Sequence, residues 1–191
     1  MRDKEIILKE IQRKSIHIMG IVVIPLDFYF GLIIPSILVL ILSCLYMLSE
    51  HMQKKDKHFP IIQNVTKFAL RDKSDGKTDY APILLAVGVV VSLAIFPTPI
   101  NYCAIIAVAL GDGFASLVGK SFGRHKLIFR KSLEGTSAGF FATFVGCSFF
   151  VSPELALGIS GIAMSIEILP LGKFDNVVIP LVVGIVLSFI L

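Results

Sequence analysis

Apolar residues fall in seven blocks, at 16–30, 31–49, 81–97, 99–119, 135–151, 154–169 and 177–191, and polar residues collect in the segments 1–15, 50–80, 120–134 and 170–176. Apolar residues gathered in blocks of this kind point to a core that lies between helices packed in lipid. Pro25 and Asp27 interrupt the first block, and the first two blocks together predict a tight helical hairpin. Pro97-Thr98-Pro99 and Ser152-Pro153 mark short turns. Ile6, Ile7, Leu8 and Ile11 form part of an apolar stripe in a charged N-terminal surface helix. Ile61, Ile62, Val65, Phe68 and Ala69 suggest an interfacial amphipathic helix, followed by a turn at Ser74-Asp75-Gly76. The predicted fold is an all-α polytopic membrane protein with about seven transmembrane helices, one catalytic-sized domain over 1–191. Several of the spans are short.

Composition agrees with this pattern. The chain is 55% hydrophobic and 17% charged, against about 25% charged residues in soluble domains. Charge placement sets the orientation. With the N-terminus cytoplasmic, the segments 1–15, 50–80, 120–134 and 170–176 are inside and carry all 18 Lys and Arg, while the outer turns carry only Asp27 and Glu154. No small-residue cleavage site follows the first block, so it is expected to be a retained helix. Asn64-Val65-Thr66 fits a glycosylation sequon but falls on the inner side. Cys44, Cys103 and Cys147 stand singly in apolar blocks, which indicates neither a disulfide framework nor a zinc site. No nucleic-acid partner or oligomer is indicated.

Chemistry concentrates on the inner side. Asp112 lies within an apolar block, where a carboxylate costs about 2.5–3.5 kcal/mol on insertion scales and is a functional candidate by default. Glu134 begins the fifth block, Glu167 closes the sixth, Asp175-Asn176 precede the seventh, and Arg13 and His17 stand at the inner end of the first. The plainer alternative is an acid paired with Lys120 or Lys131 for helix packing. Gly111, Ala115, Gly119 and Gly123 recur every fourth residue, a face that lets helices approach closely. Asp112, Ser116 and Lys120 form the stripe beside it, and Gly135, Gly139 and Gly146 give the next block a similar face. Gly119-Lys120-Ser121 is not a P-loop, because the glycine that motif needs at 114 is Phe and the segment before it is a membrane helix. Carboxylates that hold Mg²⁺, lysines and arginines (Arg124, Lys126, Arg130 and Lys131) that offset phosphate charge, and the helix start at Ser132 would suit phosphoryl transfer at a membrane surface.

Gly111-Asp112-x-x-Ala115-x-x-x-Gly119-x-x-x-Gly123, followed by Lys131-Ser132-x-Glu134-Gly135-Thr136, resembles the signature of the CTP-dependent lipid kinases, which include dolichol kinase, phytol kinase and the yeast-type diacylglycerol kinase. Arg13-Lys14-x-x-His17-x-x-Gly20 resembles their N-terminal motif, and Glu167 with Asp175-Asn176 and Pro180 their C-terminal one. The resemblance implies an integral membrane kinase that moves the γ-phosphate of CTP to a polyprenol or other lipid alcohol, with Mg²⁺ as cofactor and the site on the cytoplasmic side of a cell or ER-type membrane. It implies Asp112, Glu134 and Asp175 as catalytic acids, with Glu167 joining them as metal ligands. Lys131, Ser132, Lys120, Asn176, Arg13, His17 and Gly135 would contact nucleotide or substrate. Phosphatidate cytidylyltransferases share the Gly-Asp pair and the later Lys-x-x-Glu-Gly element. They also end in a Gly-His-Gly-Gly-x-x-Asp-Arg-like signature that this chain lacks. A transporter or membrane scaffold is the non-enzymatic alternative.

Overall fold

The computed structural model describes residues 11, 14, 15, 17–54 and 80–191. Arg13, most of the N-terminal surface helix, the amphipathic helix at 61–69 and the turn after it lie outside the described residues. Each apolar block is a helix. They are α1 (His17–Phe30), α2 (Ile33–Lys54), α3 (Ala81–Ile95), α4 (Ile100–Phe122), α5 (Leu133–Cys147), α6 (Pro153–Ile168) and α7 (Asp175–Ser188). Among the described residues there is no strand, only an isolated bridge between Lys126 and Ser132.

Local chemistry sets the helix ends. Gly31 turns the chain between α1 and α2 at φ 71°, a conformation open to glycine at little cost. Pro153 opens α6 in its first turn, where a missing N–H costs nothing. Ser132 caps α5, its Oγ accepting from the Gly135 N–H at 3.2 Å.

Among the described residues, α4 is the helix long and apolar enough to cross a membrane, with 23 residues, or about 35 Å at 1.5 Å per residue. Seven full spans, as expected from the sequence, are not seen: α2 has 22 residues, but its described apolar part is Ile33–Leu48, and the other helices are shorter. α3 and α5 have 15 residues each, α6 16 and α7 14, about 21–24 Å against a hydrocarbon core of about 30 Å. Prolines, glycines and polar inner ends stop them early.

The bundle is built around α4. It touches α3, α5, α6 and α7, and α2 packs on α1 and α3 at the periphery. Tyr102 to Ala109 are almost completely buried. Tyr102 donates to Asp27 Oδ2 at 2.9 Å, fastening α1 to the start of α4. The outer faces are apolar: Phe28, Ile33, Leu42, Phe141, Leu157 and Phe189 are all exposed.

The two small-residue faces found in the sequence meet each other. A Cβ on Gly139 would lie 2.6 Å from Gly111 O and 2.9 Å from Ala115 Cβ, and one on Gly135 would lie 2.8 Å from Gly119 Cα. α4 and α5 are therefore in backbone contact along several turns. Within α4, residues Ala107–Asp112 form a π-helical stretch. Such a bulge inserts a residue into the helical register and is often found at functional sites. Here it ends on Asp112.

Candidate functional site

Asp112 is reached from a distant part of the chain. Lys14, 98 residues earlier, donates to Asp112 Oδ2, and both side chains are about 95% buried. His17, one helical turn beyond Lys14, brings its Nε2 to 3.5 Å from the same oxygen. Ser116, one turn after Asp112, donates to Oδ1 at 3.3 Å. An isolated buried carboxylate is strongly disfavoured, and a lysine, a histidine and a hydroxyl around one offset that penalty.

A second ion pair lies beside the first. Lys131, from the loop before α5, donates to Glu167 Oε1 at the end of α6. Glu167 is 2% exposed and Lys131 28%, so the cluster is open to its surroundings at Lys131. Asp175 and Asn176 come in from the start of α7. His17 Nε2 donates to Asn176 Oδ1 at 2.9 Å, and Asn176 Nδ2 donates to the Ala81 carbonyl at 2.9 Å. One amide thus ties α1, α3 and α7 together at the site. Asn176→Leu should cost about 1–3 kcal/mol through the two lost hydrogen bonds. Thermal unfolding of the purified protein measures this, and an unchanged midpoint would contradict it.

Asp175 precedes the apolar run of its helix. Burial pushes its carboxyl up to about 7; Lys131 pulls against the shift, and Asp112 and Glu167 add to it. Its Oδ1 and the Oε2 of Glu167 are buried and have no hydrogen-bond partner among the described residues. Two orphaned carboxylate oxygens in one cluster require an explanation.

The remaining residues singled out from the sequence are placed differently. Glu134 stands apart from both ion pairs: its carboxylate takes the His125 backbone N–H at 3.1 Å and lies 2.7 Å from His125 Nδ1. Its own backbone N–H and then the His125 side chain hold that carboxyl down to about 2. Gly135, expected at the nucleotide, is instead closed over by α4, since a Cβ there would be 2.5 Å from Ala115 O. Ser132 is buried and caps α5. Lys120 is exposed in the last turn of α4, within the Gly119-Lys120-Ser121 sequence, which is helical as expected. Two residues were not picked out as site members. Lys14 shares a helix face with His17, and that spacing was its available signal. His125 had none.

A hard cation such as Mg²⁺ needs oxygen donors and commonly takes only one or two protein carboxylates, the rest being waters and phosphate. Among the described residues no three His, Cys, Asp or Glu side chains close round one point. The orphaned oxygens of Glu167 and Asp175 nevertheless fit that smaller requirement. Compared with protein-family models, curated proteins and solved structures, the chain finds no match in any of the three.

Proposed function

We propose that this chain is a membrane lipid-alcohol kinase that transfers the γ-phosphate of CTP to the hydroxyl of an isoprenoid alcohol. The observation carrying the proposal is the convergence of Lys14, His17, Asp112, Lys131, Glu167, Asp175 and Asn176, from distant parts of the sequence, in one buried cluster. These residues belong to all three motifs that resemble the CTP-dependent lipid kinases. The apolar outer faces of the bundle suit a membrane setting, and the distribution of Lys and Arg favours a cytoplasmic position for the cluster.

In this reading the nucleotide enters at Lys131. Lys131 and Lys14 each hold one carboxylate oxygen, and they exchange that partner for phosphate oxygens when the triphosphate docks. The lipid hydroxyl attacks the γ-phosphorus, the bond to the β–γ bridging oxygen breaks, and CDP leaves with the electron pair. The hydroxyl proton passes to a carboxylate of the cluster. Glu167 and Asp175 would hold Mg²⁺, which when bound offsets the negative charge of the phosphates. Asn176 and His17 keep α1 and α7 in register around the acids.

A panel of lipid alcohols incubated with the reconstituted protein and either CTP or ATP tests the assignment. The expected outcome is a lipid monophosphate and CDP, formed with CTP and Mg²⁺ and with prenol-type alcohols. Absence of nucleotide turnover with every alcohol would favour transport or a scaffold role for the same buried acids.

A further inference from the structure

The loop between α4 and α5 has a fixed shape and an unusual surface. Three backbone hydrogen bonds close it: Leu127 N–H to Lys131 O at 2.7 Å, Lys131 N–H to Ile128 O at 3.3 Å, and Leu133 N–H to His125 O at 2.9 Å. The His125–Glu134 contact ties its base. At the tip, Phe129 adopts φ 56° and ψ 33°, a left-handed conformation that a bulky aromatic residue rarely takes. Such a conformation persists only where the surroundings enforce it, and here the enforced turn points apolar side chains outward. Ile128 is 68% exposed, Phe129 55%, and Phe122 at the loop's start 71%. Arg124 and Lys126 are exposed among them, with no ion pair among the described residues.

A soluble loop has no reason to be held rigid with its apolar residues outermost. An apolar tip ringed by cations matches the boundary of an anionic bilayer, where the rings enter the acyl edge and the cations meet the headgroups. We infer that the 122–131 loop is an interfacial anchor that seats on anionic phospholipid, and that its seating fixes the depth of Lys131 at the mouth of the cluster. The inference rests on the membrane setting of the proposed function but not on the kinase reaction. Charge complementarity selects the occupant: nothing on this loop offers an acid to a basic partner, because Glu134 is held by His125.

The chain has no tryptophan, so one introduced at a chosen position reports its own surroundings. Phe129→Trp, with Ile128→Trp as an independent second probe, is reconstituted in nanodiscs of phosphatidylcholine with or without phosphatidylglycerol, some of the lipid being brominated. Phe141→Trp, on the exposed face of α5, reports whether the helices are in lipid at all. Blue-shifted emission quenched by brominated lipid is expected at the loop probes, and more strongly with phosphatidylglycerol. Arg124→Gln with Lys126→Gln should remove the phosphatidylglycerol dependence, each cation contributing about fivefold to partition. A quenched Phe141→Trp beside water-like emission from both loop probes would overturn the proposal. So would equal quenching in the two lipids, or blue-shifted but unquenched emission, which would mean that protein covers the loop. An unquenched Phe141→Trp would overturn the membrane setting and this proposal together.

Discussion

Asp112→Ala should remove phosphate transfer and about 3–5 kcal/mol of stability together, because it leaves the Lys14 ammonium buried without its carboxylate. The two losses have different origins and can be separated. In the double variant Asp112→Leu with Lys14→Met, two apolar side chains replace the ion pair, a change that is often neutral or stabilising in a buried site. That protein should regain most of the lost stability and remain inactive. Asp112→Asn, which keeps the side chain's shape but not its charge, should lower kcat/KM by about 10²–10⁴-fold, the scale seen when a positioned acid–base group is removed. Thermal unfolding and phosphate transfer measured on the same preparations give both quantities. A double variant with near-normal turnover would reduce the pair to a packing device.

The second large effect is expected where α4 meets α5. Gly139→Ala places a Cβ 2.6 Å from the Gly111 carbonyl oxygen and 2.9 Å from Ala115 Cβ. A backbone oxygen cannot move aside as a side-chain end can, so the helices must separate, at about 1–3 kcal/mol for overpacking of this kind. The displacement is at the turn beside Asp112, so activity should fall with stability. Gly158→Ala is the matched control. It lies within α6 and its Cβ would meet nothing within 4 Å, so the better helix propensity of alanine should stabilise the protein by about 0.5–1 kcal/mol. Unfolding midpoints that move in opposite directions are the expected result. Equal shifts would contradict the close approach of the two helices.

These two sites differ in how far the sequence disclosed them. The glycine faces were legible because a four-residue spacing fixes which residues share a helix face; that Gly111, Ala115 and Gly119 meet Gly135 and Gly139 came from the structure. The helix positions were legible for a similar reason, since the ends of the apolar blocks carry turn and capping residues. Pairing between distant residues was not. Lys120 and Lys131 are near Asp112 in sequence and were the expected partners in a structural ion pair, yet Lys14 takes that carboxylate and Lys131 goes to Glu167. Tertiary packing decides which charges meet, and no local period encodes it. The π-helical register at Ala107–Asp112 was equally hidden, because it inserts a residue without leaving a compositional mark. Glu134's place in the signature suggested a metal or catalytic acid, and the backbone turn that brings His125 to it became apparent only in three dimensions.

Transfer of label from CTP tests the central claim most directly. Wild-type protein in nanodiscs is given a prenol, Mg²⁺ and CTP labelled at the γ-phosphate, with Asp112→Asn beside it. A kinase built on this cluster places the label in lipid monophosphate with unlabelled CDP released, and the Asp112→Asn protein places almost none there. Label recovered in pyrophosphate alongside a CDP-lipid, or no label leaving CTP with any alcohol, would contradict it.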